Sequence, residues 1–189
     1  MLLSFNVSLS FSQSKAKTIK KGAMYSCCIE SPKQVAISGI PAWVFSTLGV
    51  GFLDSPQGVM SGQNCAYAIN TYTGGLGEPI IADPSESIEI SYKVKNGLVY
   101  LWDPSISKNE PKDESGYILI LRIENDETLT PIKTSSEAML NIGSFVYMGN
   151  YFSTKNMSDE ALAQLEINGL TKLLSLRNQK PKIELIQPK

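Results

Sequence analysis

The dipeptide Asn96-Gly97 constrains this chain more than any other two residues. Within Lys95-Asn96-Gly97 it turns ESIEISYKV (86–94) back onto LVYLW (98–102), and Ile88, Ile90, Tyr92 and Val94 alternate along the first arm. Period-two alternation places those four side chains on one face of a strand. Asn-Gly supplies the two positive φ values that a two-residue hairpin turn requires. The segment therefore predicts an antiparallel hairpin, and antiparallel strands become the frame for the rest.

The same signal recurs elsewhere. In LLSFNVSLSF, Leu3, Phe5, Val7, Leu9 and Phe11 fall at period two, which predicts an N-terminal strand followed by a lysine-bearing turn. Residues 64–73 and 87–95 read as strands separated by a Gly/Pro-rich loop. Residues 117–123, within GYILILRIENDETL, and 144–152 read as two more. Residues 23–30 form a short apolar element of open type. Pro41 suits the first turn of a helix, so Pro41–Leu48 is expected to be a short buried helix, with Val50–Leu53 a strand. Asp54–Gly58 reads as a turn that delivers Val59 and Met60 to a loop tip, tucked into the core or exposed for contact. Ser158-Asp159-Glu160 predicts a helix start, and Asn168-Gly169 its end. A last hairpin is expected to turn at Asn178–Pro181. The total is six to eight strands and two or three helices.

With 189 residues and 42% hydrophobic content, one domain with a sizeable core is expected. Residues 1–21 would form the N-terminal strand and basic segment, 22–152 a β-rich core, and 153–189 a C-terminal helix and hairpin. Charge is unevenly distributed. Residues 1–33 hold five lysines and one glutamate, and 172–189 five basic residues and one glutamate. Residues 34–171 hold seven basic and sixteen acidic residues, a net of −9. Basic ends flank an acidic body, a pattern suited to copies meeting one another or to an anionic surface, as well as to ordinary surface variation.

Histidine is absent, so no Ser-His-Asp or Cys-His arrangement and no histidine metal site can form. Cys27, Cys28 and Cys65 are odd in number, with two adjacent, which argues against a disulfide framework and fits a reducing compartment. Gly49-Val50-Gly51 lacks the rest of a dinucleotide fingerprint, and Gly74-Gly75-Leu76-Gly77 lacks the Lys-Ser/Thr of a phosphate loop. No cofactor and no sequence-specific nucleic-acid contact are expected. No run of ~18 apolar residues crosses a membrane and no signal peptide is evident. Contact, and not bond-making, is the expected work of the chain. A carboxylate pair about 5–10 Å apart would be the mark of the hydrolase alternative.

The order glycine, strand, acidic turn and leucine at Gly116, Ile118, Ile123, Asp126, Glu127 and Leu129 resembles a segment of rhabdovirus matrix proteins of the vesicular stomatitis type. Phe152, Lys155, Ser158-Asp159, Ala161-Leu162 and Gly169-Leu170 resemble that family's closing helix and final strands. LLSFNVSLSF followed by PAWVFSTLGVGFLDS is similar to its first strand, short helix and hydrophobic strand. The resemblance implies an α+β fold: a twisted antiparallel sheet, one or two packed helices, and a C-terminal helix plus β-hairpin. It implies a non-enzymatic structural protein of the virion, found there and in host cytoplasm, peripheral at the membrane. Its partners would be copies of itself, viral nucleoprotein and anionic membrane. The contact residues carried over are Lys15, Lys17, Lys20 and Lys21, and the loop residues Val59 and Met60. The rival is a capsid-like or carbohydrate-binding β-sandwich, with Trp43 and Trp102 either core or contact residues.

Overall fold

The computed structural model describes residues 17–150, 157–176 and 178–187, with backbone alone at 82–86. The expected N-terminal strand at residues 2–11, and Lys15, lie outside them. Among the described residues ten strands and one α-helix follow in order: β1 (Ala23–Cys28), β2 (Lys33–Ile37), β3 (Ile40–Phe52), β4 (Gln57–Ile69), β5 (Leu76–Lys95), β6 (Leu98–Trp102), β7 (Leu119–Asn125), β8 (Thr128–Thr134), β9 (Phe145–Gly149), α1 (Asp159–Ser175) and β10 (Glu184–Leu185). Eight of the strands close a barrel in the order β1-β9-β8-β7-β6-β5-β4-β3, with β3 returning to β1, and every neighbouring pair is antiparallel. Strand occupies 49% and helix 14%.

This architecture overturns the expected α+β fold with a twisted open sheet. The sheet rolls through a full circle, so the β1 and β3 edges pair with one another. Closure removes the edges that an open sheet leaves exposed. Pro41–Leu48 is not a helix but the first two-thirds of β3. The decisive local signal is the turn before it. Ser38 (φ 50°) and Gly39 (φ 82°) join β2 to β3 as a two-residue hairpin, as Asn96 (φ 53°) and Gly97 (φ 74°) join β5 to β6. Once Ile37 pairs with Ile40, Pro41 falls opposite Ala36 in a ladder and no helix can start there.

The barrel interior is filled by alternate residues of its strands. Tyr25, Phe52, Ile90, Leu101, Leu119, Leu121, Ile123, Leu129 and Phe145 are fully buried, and Ile142 from the loop after β8 joins them. Phe52 meets Tyr25 edge-on at 5.7 Å and Tyr92 at 4.9 Å. The two tyrosines point their hydroxyls to one end of the barrel, where Tyr25 donates to the Asp126 carbonyl (2.8 Å) and Tyr92 to the Leu53 carbonyl (2.9 Å). A buried phenol keeps a partner in this way while its ring stays in the core. Outside the wall, Ile120 of β7 packs with Trp102, Tyr117 and Ile186, so β7 is buried on both faces. That explains the unbroken apolar run YILIL. Trp43 and Trp102 are both core residues.

The helix starts as expected: Ser158 caps α1 by accepting from the Ala161 N–H (3.3 Å). It does not stop at Asn168-Gly169 but continues to Ser175. Gly169 is there for space. A Cβ on it would lie 2.6 Å from the Met148 Cε, so its absence lets the helix settle onto β9. The expected C-terminal hairpin is also absent among the described residues. Residues 184–185 instead form β10, which runs parallel to the end of β8.

Candidate contact surface

Strands β3, β4 and β5 are longer than the barrel. β6 pairs with β5 only over Ser91–Lys95, and β1 takes up β3 only from Thr47 onward. Beyond these limits β2, β3, β4 and the first part of β5 continue as a curved sheet, with β2 replacing β1 on the β3 edge. The outer face of this extension is covered. Trp43, Phe45, Cys65 and Tyr67 pack against Leu170, Leu173 and Leu174 of α1, and Phe45 stacks on Tyr67 at 6.0 Å. Trp43 Nε1 donates to the Gly74 carbonyl (3.2 Å) and the Tyr67 hydroxyl to Glu166 Oε1 (2.6 Å).

The inner face of the extension, continuous with the barrel interior, is open. Val44, Ala66 and Ile81 stand side by side in one cross-strand row, since Val44 pairs with Ala66 and Ala66 with Ile81. Val35 and Ile40 flank that row, and Ile88 stands on the same face further along β5, beyond the polar row of Ser46, Asn64 and Asp83. These five large apolar side chains are exposed by 36% (Val44), 42% (Val35), 44% (Ile88), 48% (Ile81) and 49% (Ile40). The transition is abrupt: Ile88 and Ile90 point the same way from β5, yet Ile90 is fully buried, because the barrel wall begins between them. Among the described residues no strand pairs with the other edge of β5 ahead of Ser91. Pro79 and Pro84 interrupt its donors, which leaves Ser85–Ile90 as the run of that edge best able to take a partner.

The lysines expected to reach outward sit at the opposite end of the barrel. Lys20 lies 4.0 Å over the Tyr147 ring and 3.4 Å from the Asp126 carboxylate. Lys21 donates to the Asp54 carbonyl (3.2 Å). Lys17 runs beside the Gly97 turn, where the Glu124 carboxyl is held low mainly by its Arg122 hydrogen bond and, more weakly, by Lys17. Of the three, Lys20 is ion-paired with a turn of its own chain, while Lys17 and Lys21 are exposed. Val59 and Met60 are at no loop tip: both lie within β4, and Met60 is 5% exposed, opposite Val50 and Ile88. The Asp54–Gly58 turn is shorter than the sequence implies because β4 already begins at Gln57. Sequence reasoning passed over Val35, Ile40, Val44, Ile81 and Ile88. The usable signal for Ile40 and Val44 was the Ser38-Gly39 turn, which fixes the face on which each residue of β3 stands.

The three cysteines are unpaired and buried. Burial pushes the Cys28 thiol up to about 11 and Cys65 to about 12, the latter helped by the nearby Glu166 carboxylate, and holds Cys27 well above its ordinary value. Thiols so placed stay protonated and make poor nucleophiles. Among the described residues no group of three or more Cys, Asp or Glu side chains is placed to hold a metal, and no helix is long and apolar enough to cross a membrane. The fold and its open face define an antiparallel eight-stranded β-barrel protein with a sheet extension backed by one helix. The chain matches no protein-family model, no curated protein and no solved structure.

Proposed function

We propose that this chain is a non-enzymatic, self-associating structural protein, and that copies join through the inner face of the β2–β5 extension. The observation that carries the reading is the apolar row left open where the barrel wall stops. Burying a Val or Ile side chain completely contributes about 1.5–3 kcal/mol, so five half-exposed ones contribute roughly 1 kcal/mol each. Across two identical faces that is on the order of 10 kcal/mol, against an association cost of about 4–15 kcal/mol. A single pair is therefore weak, and an extended assembly, in which each further contact is intramolecular, holds firmly.

The matrix-like role, condensing a nucleocapsid and linking it to an envelope, is the particular assembly that the sequence resemblance adds. It rests on the matched segments and not on the fold, which is a barrel where an α+β sheet was implied. Nucleoprotein and anionic lipid are its proposed partners. At about 1 kcal/mol per lysine near an anionic leaflet, the basic segment would bind membrane only as part of an array. Sedimentation velocity over a concentration series tests the self-association. The wild-type chain is expected to gain mass with concentration and the Ile81→Lys/Ile88→Lys variant to remain a monomer. A wild-type chain that stays monomeric throughout, or a variant that assembles equally well, contradicts the reading. Liposome co-sedimentation at low salt, with Lys15, Lys17, Lys20 and Lys21 changed together to Glu, tests the membrane partner separately. Loss of binding is expected, and unchanged binding removes that partner.

A further inference from the structure

On the outer side of the barrel, between α1 and strands β1, β3 and β4, lies a cavity of ≈ 260 Å³. Its floor is a row of small polar residues. Ser26 pairs with Gly49, and Gly49 with Ser61, while Thr47 pairs with Gln63 one step along. Gly49 makes the depression, because a Cβ there would lie 3.1 Å from the Met24 Sδ and 3.3 Å from the Ser26 Oγ. Met24, Met148 and Leu170 form apolar walls, and Glu166 of α1 stands at the rim.

Two of the floor residues are more than nine-tenths buried: Ser26 is 8% exposed and Thr47 4%. Among the described residues neither hydroxyl has a hydrogen-bond partner, both residues line the cavity, and neither oxygen is sealed from solvent. Two unpaired hydroxyls facing one open space can be met by water or by the donors of a ligand, and they are free to accept from either. The Glu166 carboxylate accepts from Tyr67 at 2.6 Å and has no cationic side chain within 4.0 Å among the described residues. The cavity thus combines a carboxylate with no cationic partner among the described residues, several oxygens able to accept from different directions, and thioether walls.

We propose that this cavity binds a primary alkylammonium group. An ammonium has three donors and no acceptor, which matches a carboxylate facing hydroxyl oxygens, and its alkyl stem would lie along Met24, Met148 and Leu170. A guanidinium presents a planar fork and fits less well among acceptors spread around a depression. An anion would meet Glu166 unfavourably. The group has two possible sources, a free amine or a lysine side chain of another copy, and the chemistry they share is what the site recognises. The inference stands independently of the association through the apolar extension.

Isothermal titration calorimetry of the full chain with 1,5-diaminopentane tests it, with 1-pentanol and glutarate as controls of similar length. Saturable binding of the diamine alone is expected, weakened at least about tenfold by Glu166→Gln and also reduced by Ser26→Ala. Glu166→Gln keeps an acceptor for Tyr67, and an unchanged thermal midpoint shows that it folds. Sedimentation with and without the diamine then separates the sources. Dispersal of assembled copies assigns a neighbour's lysine, and an unchanged profile assigns a free amine. No saturable binding at millimolar diamine, equal binding by Glu166→Gln, or equal binding of 1-pentanol overturns the proposal.

Discussion

Strand β3 passes through two environments, and its own residues compare them. Leu48, Val50 and Phe52 point into the closed barrel and are buried, whereas Val44, on the same face four residues earlier than Leu48, is 36% exposed. Strand β5 repeats the contrast between Ile90 and Ile88. The strands and residue types are the same on both sides of the boundary. What differs is whether a wall stands opposite: in the barrel β6 to β9 supply it, while over the extension nothing among the described residues does. Apolar side chains in the first region stabilise the fold, and those in the second stay exposed, where the proposed association would cover them.

The largest expected effect lies on the barrel side. Phe52→Ala removes a ring held between Tyr25 and Tyr92 and should cost about 3–5 kcal/mol, read as a lowered denaturant midpoint. A loss below about 1 kcal/mol would break the comparison, since Phe52 would then be no better packed than Val44.

Alkaline pH sharpens it next. Burial raises the Tyr25 phenol and the Cys65 thiol to about 12, above their ordinary values near 10 and 8.5. Between those values the folded chain holds protons that the unfolded chain has released, so stability falls as pH rises. It should be fully present below about pH 8, decline from about pH 9, and continue to fall up to about 12, as followed by denaturant midpoints at a series of pH values. Flat stability over that window would mean that these groups are not buried in solution.

Lys20→Ala should cost about 0.5–1 kcal/mol, because its pairing with Asp126 is half-exposed and its contact with Tyr147 is a surface cation–π pair. The smallest effect on folding belongs to the extension. Ile81→Lys/Ile88→Lys should leave stability within about ±0.5 kcal/mol while suppressing association. A large loss of stability would show that the extension face is buried within the monomer and would remove the contrast.

Asn96-Gly97 and the alternation of Ile88, Ile90, Tyr92 and Val94 made the β5–β6 turn legible, but β5 begins at Leu76, within the segment the sequence offered as a Gly/Pro-rich loop. The start of α1 at Ser158 was equally plain. β3 was not, for a physical reason. In its earlier half Trp43 and Phe45 face α1 while Ala42 and Val44 stand on the other face, so apolar residues occupy both faces without alternation, and Pro41 then invites a helix. Closure of the barrel was illegible as well. The pairing of Ala23–Cys28 with Thr47–Phe52 depends on how far the sheet curls, which no local pattern encodes. The open face was hidden for a related reason: Ile88 and Ile90 are the same residue in the same alternation, and only the end of β6 tells them apart. Charge counts picked out Lys17, Lys20 and Lys21 but did not show that Lys20 pairs with Asp126 beside the Tyr147 ring.

Hydrogen–deuterium exchange measured against protein concentration tests the separation of the two regions most directly. Amides of Ser85–Ile90 should gain protection as concentration rises, in step with the mass seen by sedimentation, while those of Leu98–Trp102 and Leu119–Asn125 stay protected at every concentration. If protection of Ser85–Ile90 is already high in dilute monomer, or stays unchanged while mass increases, the extension is not where copies meet.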